Sequence, residues 1–194
     1  MDIVDELGYR RDGRTAEQIR NVVFRLNAFP NADGSAYLEQ GNTKVLCAVY
    51  GPREPRQRSR QLDDRCFVNC QVDGSVLATC FNAATLAVAD AGIAMKGLPA
   101  AVTVGLSDMQ PCVDLSGREE SASSPCVTVA MMGKEDIVLI HLQNTVYSGR
   151  VSTMLDCAST ACERINGLME TALMQHLQAS FNRAERRFAA PSVV

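Results

Sequence analysis

A β-hairpin is predicted by the stretch Ser35-Ala36-Tyr37-Leu38-Glu39-Gln40-Gly41-Asn42-Thr43-Lys44-Val45-Leu46-Cys47-Ala48-Val49-Tyr50, in which two strand-like runs flank the turn residues Gln40-Gly41-Asn42. Gly41 suits the positive φ of such a turn. The second run is apolar at every position from Val45 to Val49, so this strand is expected to be buried on both faces. The pair Gly51-Pro52 then ends the hairpin.

Elements of both types are predicted outward from this hairpin. Towards the N-terminus, Thr15 is a candidate cap for a short helical turn over 15–20, and a strand begins at Val22. Gly34, which ends the turn sequence Asn31-Ala32-Asp33-Gly34, is expected, like Gly41, to have a positive φ. Towards the C-terminus the pattern predicts a short strand at 66–70, a buried Ala-rich helix at 76–91, strands at 101–106, 112–115, 126–131 and 137–142, and a long amphipathic helix from Val151 past Leu177 that ends in a basic, solvated tail. This mixture predicts an α+β sandwich.

Length and composition predict one domain over residues 1–194. The chain has 194 residues, of which 46% are apolar and 21% charged, and its formal net charge is −3. These values allow a packed core and disfavour disordered, coiled-coil and collagen-like classes. Flexible ends are expected at about 1–7 and 184–194. No apolar run is long enough to span a membrane, and the acidic N-terminus is unlike a secretion signal, so no membrane partner is expected.

The eight cysteines are expected to be reduced and mostly buried thiols, because nothing in the sequence predicts a secreted protein. The closest pairs, Cys66 with Cys70 and Cys157 with Cys162, lack the two-residue spacing of structural zinc sites. Neither of the two histidines lies near either pair. No metal and no cofactor are therefore expected.

Arginine dominates the basic residues, since 16 of the 19 are Arg. Arg binds phosphate and stacks on bases better than Lys does. Five of these side chains lie in one charged segment, the arginine loop (residues 53–65), at Arg53, Arg56, Arg58, Arg60 and Arg65. From the residues alone this loop is either solvated surface, partly neutralised by Glu54, Asp63 and Asp64, or a site for successive phosphates of RNA.

Seven short motifs follow one another along the chain. In order they are Gly8-Tyr9-Arg10-Arg11-Asp12-Gly13-Arg14, Ala32-Asp33-Gly34-Ser35-Ala36, Gln40-Gly41-Asn42-Thr43-Lys44, Tyr50-Gly51-Pro52, Asn82-Ala83-Ala84-Thr85-Leu86, Asp90-Ala91-Gly92-Ile93 and Asp114-Leu115. In sequence and order these motifs resemble the ribonuclease PH family, over nearly the whole chain from Gly8 into the C-terminal helix.

The resemblance implies an α+β fold of the ribosomal protein S5 domain 2-like type, with six such domains assembled into a ring. Single-stranded RNA threads the central channel of such rings with its 3′ end first, and active members cleave it with inorganic phosphate. In eukaryotic exosomes most ring subunits act as scaffold and RNA conduit while separate nucleases cut. The resemblance also implies that the arginine loop lies at the narrow entrance of the channel, where it is expected to bind RNA.

Two departures from the family bear on catalysis. Active members carry Asp-Gly-Gly-Thr-Arg before the buried helix, where Thr and Arg hold the phosphate, whereas this chain has Asp73-Gly74-Ser75-Val76-Leu77. Valine and leucine offer no side-chain donor to an anion. Between Gln71 and Val72 the family also has roughly 50 more residues, a strand-helix-strand unit with further Arg contacts to phosphate and RNA. A skipped exon, a faulty gene model or a genuinely reduced subunit would explain the absence of this unit. The absence is expected to reduce the buried apolar area and can leave a sheet edge unpaired.

One carboxylate of the family's catalytic site is present. Asp114 matches a catalytic residue of active members, and Glu120 lies near the place of a second. A carboxylate there can position a metal or protonate the leaving oxygen. Without phosphate ligands, however, Asp114 is expected to be vestigial or structural, and no catalytic residue is expected.

The resemblance and these departures predict a non-catalytic ring subunit of the RNA exosome that supports 3′-to-5′ RNA processing and degradation, including ribosomal RNA maturation, RNA surveillance and mRNA decay. Expected partners are other ribonuclease PH-like subunits in a hexameric ring, S1/KH cap subunits, a hydrolytic exosome nuclease and single-stranded RNA. Expected locations are the nucleus, nucleolus and cytoplasm. Two alternatives stay open: an active phosphate-dependent 3′-to-5′ exoribonuclease that uses Asp114, and a shortened isoform that joins no ring.

Overall fold

Seven strands form two antiparallel sheets in the part of the chain that the computed structural model describes, which comprises residues 3–5, 7–53, 68–70, 77–107, 110–120 and 125–189. The first sheet contains β1 (Val22–Leu26), β2 (Gly34–Gln40) and β3 (Thr43–Val49), in that order. The second contains β4 (Ala100–Ser107), β5 (Gln110–Val113), β6 (Cys126–Met132) and β7 (Asp136–Gln143), in the spatial order β5-β4-β6-β7. The predicted hairpin is confirmed as β2 and β3, and the predicted α+β class is confirmed with it.

Helix α1 (Leu77–Asp90) contacts strands of both sheets. Its small residues allow this close approach, and Ala87 for example has no exposed surface. The buried Asn82 side chain bonds both backbone groups of Ala101 in β4: its Nδ2 donates to the carbonyl (2.9 Å) and its Oδ1 accepts from the N–H (2.7 Å). These bonds satisfy an amide that would otherwise be costly to bury. The helix ends before Gly92, as predicted, and Gly92 has a φ of +69°.

Helix α3 (Ser148–Ala189) lies across β4, β5 and β6 and reaches β1, whereas the short α2 (Gly117–Glu120) follows β5. The buried side chains of α3 recur at helical spacing and pack in one core with valines of β4 and β6. They include Met154, Ala158, Cys162, Ile165 and Met169. The predicted long amphipathic helix is confirmed, although it begins slightly before Val151.

The apolar sequence of β3 predicted a strand buried on both faces, and that prediction is wrong. Its residues alternate between half-buried and exposed, and Leu46 keeps 53% of its surface exposed. This alternation arises because α1 covers one face of β3, while within the described residues β3 pairs with β2 alone. The outer face of the first sheet therefore carries apolar side chains that meet solvent.

The two glycines predicted to need a positive φ differ from each other. Gly41 has the expected positive φ of +60°. The φ of Gly34 lies outside the left-handed region, so that prediction is wrong. Gly34 is the first residue of β2 and packs against α1, where a Cβ would collide with the backbone of Ala87 and Ala91. Gly34 therefore serves the close approach of strand and helix, because a residue with a side chain would hold them apart.

Two short elements predicted from the sequence are not formed in the described residues. Residues 15–20 contain no helix: Thr15 forms an isolated β-bridge with Tyr9, and the carbonyl of Ala16 accepts the N–H of Val113 (2.8 Å), which holds this segment along β5. Residues 68–70 belong to no strand, and the rest of the predicted strand at 66–70 lies outside the described residues. The single-domain boundaries and the flexible ends stay predictions.

The seven cysteines in the described part of the chain are free thiols, as predicted. Of these seven described thiols three are buried, three are half-buried and Cys70 is exposed, so fewer are fully buried than the sequence predicted. Burial raises the pKa of Cys162 to about 12, so this thiol stays protonated at neutral pH. Among the described residues, no group of three or more His, Cys, Asp or Glu side chains is arranged to hold a metal ion, and no helix has the length and apolar character needed to cross a membrane.

Candidate functional site

Asp114, the candidate catalytic carboxylate, lies directly after β5 and keeps only 4% of its surface exposed. Its φ is +57°, a left-handed conformation that Asp tolerates better than most residues. The N–H of Asp114 donates to the carbonyl of Thr103 in β4 at 2.7 Å. The side chain faces the segment that precedes β1, named here the N-terminal arm (residues 7–21).

Four donors occupy the two oxygens of the Asp114 carboxylate. Oδ1 accepts from Nη2 of Arg20 (2.7 Å) and from Nε2 of Gln40 (2.9 Å). Oδ2 accepts from the backbone N–H of Arg20 (2.7 Å) and from its Nε (3.0 Å). Arg20 and Asp114 therefore form a two-pronged, charge-assisted pair, the strongest type of side-chain hydrogen bonding.

Two further arginines of the N-terminal arm bind the backbone around Asp114. Arg10 donates through Nη2 to the carbonyl of Val113 (2.6 Å) and to that of Ala16, and through Nη1 to the carbonyl of Asp114 (3.3 Å). Arg14 donates through Nη1 to the same Asp114 carbonyl (3.1 Å). Burial, followed by the positive charge of Arg14, lowers the pKa of Arg10 from its usual value. The arm is thus held along β5 by guanidinium groups that bind carbonyl oxygens.

Acidic side chains balance the three arginines. Glu119, in α2, places Oε2 3.9 Å from Nη1 of Arg10 and 3.7 Å from Nη2 of Arg14, and the same oxygen accepts the N–H of Ser116 (2.6 Å). Asp12 accepts from Nε of Arg14 at 2.7 Å. With the charge on Asp114, three negative groups face three positive ones, so the formal charges of these six side chains balance, although Asp12 itself is exposed.

The predicted second carboxylate, Glu120, is only partly buried. Burial raises the pKa of Glu120, and the charge of Arg20 opposes that effect. The carboxylate that pairs with Arg10 and Arg14 is that of Glu119, one position earlier.

Gln40 connects the Asp114 cluster to α1. Its Nε2 donates to Asp114, and its Oε1 accepts from Oγ1 of Thr79 (3.2 Å) in the first turn of that helix. Gln40 and Thr79 are both buried. Asp114 is consequently the point at which the arm, the first sheet, the second sheet and α1 are joined by hydrogen bonds.

This arrangement has a clear chemical consequence for Asp114. Each oxygen of the Asp114 carboxylate already accepts two hydrogen bonds, and three of the four come from Arg20. A catalytic carboxylate needs an oxygen within reach of the reacting group, and a metal ligand needs an oxygen lone pair aimed at the ion. The described contacts use the carboxylate to hold segments together instead.

The other predicted site residues lie mostly outside the described part of the chain. Arg53 is exposed, with its guanidinium carbon 5.9 Å from the centre of the Tyr50 ring. Arg56, Arg58, Arg60 and Arg65 fall outside the described residues, as does the junction between Gln71 and Val72. Of the motif at 73–77 only Leu77 is described, as the half-buried first residue of α1.

Arg10, Arg14, Arg20 and Gln40 were not predicted as partners of Asp114. Strand periodicity alone contains a signal for Gln40, because Ala36, Leu38 and Gln40 share one face of β2 and all three are buried. A polar residue at a buried position needs a hydrogen-bond partner, so the place of Gln40 on the buried face of β2 indicates a polar contact on that face. No comparable signal marks the arginines, which lie 94 to 104 residues from Asp114 along the chain.

Two protein-family models match the chain. The model of the 3′ exoribonuclease family, domain 1, matches residues 18–72, and that of domain 2 of the same family matches residues 97–164. The putative exosome complex component RRP41 of Caenorhabditis elegans is 37% identical, with 92% of this chain and 97% of the relative covered. The exosome complex component RRP41 of Homo sapiens is 31% identical, with 92% and 96% covered.

Both alignments with these relatives extend over 234 residues, more than the 194 residues of this chain, so the relatives contain residues without a counterpart here. The domain 1 match ends at residue 72, beside the junction at which a missing unit is expected. The location and nature of the missing residues stay a prediction.

Solved structures with the same fold include rice (Oryza sativa) Rrp46, with a TM-score of 0.71 at 23% identity, covering 84% of this chain and all of that one. The archaeal exosome core is a second, with a TM-score of 0.63 at 16% identity, covering 84% of this chain and 91% of the other. At these identities the likeness shows the fold alone.

Proposed function

Because the chain belongs to the RNase PH (3′ exoribonuclease) family, we propose that it is a ring subunit of an exosome complex that acts by assembly and by guiding RNA, without cutting it. Its relatives are named exosome complex components, and they align with more than nine-tenths of the chain. The proposed partners are other ribonuclease PH-like subunits in a hexameric ring, S1/KH cap subunits, a hydrolytic nuclease and single-stranded RNA. The proposed processes are ribosomal RNA maturation, RNA surveillance and mRNA decay, in the nucleus, nucleolus and cytoplasm.

The non-catalytic part of the proposal depends chiefly on the contacts of Asp114. Phosphorolysis brings an inorganic phosphate beside the RNA backbone, so the site must supply donors that offset two sets of negative charge. Arg20, the cation bonded directly to the Asp114 carboxylate, is already paired, and Glu119 and Asp12 together balance the positive charges of Arg10 and Arg14. A carboxylate held in this way supports a structural role for Asp114.

The start of α1 supports the same conclusion. Active members of the family carry a phosphate-binding Thr-Arg pair here, and the last residue of the corresponding motif in this chain is Leu77. Leucine offers no hydrogen-bond donor, and a helix N-terminus alone attracts an anion only weakly. The proposed subunit therefore lacks side-chain donors at two family positions, 76 and 77, where the substrate phosphate needs them.

We expect the chain to co-purify in a ring with its sibling subunits when they are expressed together. We expect this ring to release no nucleoside diphosphates from single-stranded RNA when inorganic phosphate is present. Size-exclusion chromatography with mass determination gives the assembly, and chromatography of the released nucleotides gives the activity. A phosphorolytic member of the family, assayed in the same buffer, serves as the positive control.

Two results would contradict this proposal, each in a different part. Release of nucleoside diphosphates that requires phosphate would show an active enzyme and overturn the non-catalytic role. Failure to recover any sibling subunit, from a chain that is folded on its own, would overturn the ring role and favour the shortened isoform that does not assemble.

The arginine loop gives a second prediction for the assembled ring. Replacing Arg56, Arg58 and Arg60 with Ala should weaken the binding of single-stranded RNA and reduce the slope of log affinity against log salt, by up to about 0.7 for each lost phosphate contact. Fluorescence anisotropy of a labelled RNA over a salt series measures both quantities. The effect should be similar for RNAs of different sequence, because phosphate contacts do not read bases.

A matched control for the loop exists at the end of α3. Replacing Arg183, Arg186 and Arg187 with Ala removes the same number of positive charges from the C-terminal end of α3, which is expected from the sequence to be solvated. If both triple variants lower affinity equally, the effect is one of net charge, and the loop has no special role.

A further inference from the structure

The outer face of the first sheet, opposite the face that α1 covers, is open to solvent in the described part of the chain. Two rows of three side chains on this face are named here the sheet platform: Val23, Arg25, Tyr37, Glu39, Lys44 and Leu46. In the register of the sheet, Tyr37 lies at the centre, directly between Arg25 of β1 and Leu46 of β3. Glu39 lies in the next row, between Val23 and Lys44. The four platform residues of β1 and β3 are exposed, so a ligand can reach both rows.

Two tyrosines supply aromatic rings on this side of the sheet. Tyr37 is half-buried, and its hydroxyl donates to Oε2 of Glu39 on the same face (3.1 Å). The alternation of exposed residues along β3 continues past its end to Tyr50, which keeps 54% of its surface exposed. An arginine accompanies each ring: Arg25 lies opposite Tyr37, and the guanidinium carbon of Arg53 lies 5.9 Å from the centre of the Tyr50 ring. Nucleic-acid bases of any sequence stack on aromatic rings, and neighbouring cations bind the phosphates.

Positive charge exceeds negative charge on this side of the sheet. The cations are Arg25, Lys44 and Arg53, and the carboxylates are those of Glu39 and of Asp33 in the turn before β2. Three positive and two negative groups leave a balance of +1, whereas the whole chain has a formal charge of −3. Nζ of Lys44 lies 3.5 Å from Oε1 of Glu39, but an exposed pair of this kind contributes little, so the lysine is available to a stronger anion. The face therefore suits a partner that offers both flat rings and anionic groups.

We propose that the sheet platform binds single-stranded RNA, with a base stacked on Tyr37 and phosphates bound by Arg25 and Lys44. Single strands are the form in which base faces are free to stack on side chains. The platform is also continuous with the arginine loop, because Arg53 is the first residue of that loop and lies against Tyr50. An RNA held by the loop thus has a second surface beside it on the first sheet.

The platform is separate from the Asp114 cluster. Gln40 contacts Asp114 on the buried face of β2, whereas Tyr37 and Glu39 lie on the opposite face. The choice of RNA over DNA rests on the proposed function, but every residue of the platform belongs to this chain. Binding at the platform therefore does not require the ring to assemble.

The first test measures stacking on Tyr37. The full chain, purified alone, is titrated onto a fluorescently labelled oligouridylate, and fluorescence anisotropy gives the dissociation constant. Tyr37→Leu should raise this constant by about 5-fold or more, because an aliphatic side chain loses the stack between base and ring. Tyr37→Phe keeps the ring and loses only the hydrogen bond to Glu39, so its dissociation constant should stay within about 2-fold of wild type.

The second test measures the phosphate contacts with the same oligouridylate over a salt series. Arg25→Ala with Lys44→Ala should reduce the slope of log affinity against log salt by up to about 0.7 for each lost contact. The matched control is Lys96→Ala with Lys134→Ala, which removes two exposed positive charges outside the platform. This control should leave the slope unchanged.

Ultraviolet crosslinking of wild type to the oligouridylate locates the site without any substitution, and mass spectrometry should place crosslinks on Tyr37 or Tyr50. Circular dichroism verifies that every variant is folded. The proposal is overturned if Tyr37→Leu binds as tightly as wild type, if Tyr37→Phe loses as much affinity as Tyr37→Leu, if both double-alanine variants change the slope equally, or if no crosslink falls on either tyrosine. Co-purification with sibling subunits is a separate measurement, so failure of the ring role and failure of this site are distinguishable.

Discussion

Replacing Asp114 with Asn is expected to lower the free energy of unfolding by about 3–5 kcal/mol, because breaking a buried ion pair leaves an uncompensated charge behind. The Arg20 guanidinium would lose its charged partner, and Arg14, with Nη1 3.8 Å from Oδ2, would lose a neighbouring negative charge. Asn tolerates the φ of +57° at this position about as well as Asp does, so the substitution tests the charge and leaves the backbone conformation alone. Urea unfolding followed by circular dichroism measures the change.

Asp156 provides the control for Asp114. It is an exposed carboxylate on α3, and Asp156→Asn should change the free energy of unfolding by no more than about 0.5 kcal/mol. If Asp114→Asn costs less than about 1 kcal/mol, the cluster around Asp114 does not hold the arm to the sheets as its contacts indicate.

The size of the Asp114 effect also bears on activity measurements. Domains of this kind are stable by about 5–15 kcal/mol, so a loss of 3–5 kcal/mol can unfold a substantial part of the protein at elevated temperature. A loss of nuclease activity on substitution of Asp114 therefore indicates catalysis only if the folded fraction is measured in the same sample.

Local sequence patterns predicted the two long helices, α1 and α3, and the hairpin, but they also predicted a helical turn over 15–20 that is not formed and did not predict α2. The alternation in β2 and the helical spacing of Met154, Cys162 and Met169 need only neighbouring residues to be recognised. Burial of the second face of β3 depends on what packs there, which no local pattern reports. Leu46 is exposed because that face is open, the outcome expected if the strand-helix-strand unit after Gln71 is absent.

The candidate site was predictable only in part, for the same physical reason. Asp114 could be found from a short motif, and Leu77 from a comparison with the pattern of active members. The role of Asp114 depends on Arg20 and Gln40, which approach it only when the two sheets are assembled. A carboxylate in a motif therefore reveals where a reaction could occur, whereas its hydrogen-bond partners indicate whether it is free to take part.

Gly34→Ala is expected to destabilise the fold by about 3 kcal/mol or more, because the added methyl group has no space. A Cβ at Gly34 would collide with the carbonyl oxygen of Ala87 and the backbone N–H of Ala91, and would lie 2.6 Å from the Cα of Ala91. Backbone atoms cannot move aside as a flexible side chain can. Helix α1 is also held in place by Asn82 near its middle, which bonds Ala101 of β4, and by Asp90 at its last position, which accepts the N–H of Ser35 (2.9 Å).

A second glycine makes this prediction independent of the general effect of adding a methyl group. Gly167 lies within α3 on the exposed side, and a Cβ there meets no atom within 4 Å. Gly167→Ala should therefore stabilise the protein by up to about 1 kcal/mol, because Ala is the better helix former. Urea unfolding should thus show a lower free energy of unfolding for Gly34→Ala and a higher one for Gly167→Ala. A Gly34→Ala variant as stable as wild type would mean that β2 and α1 can move apart without loss of stability.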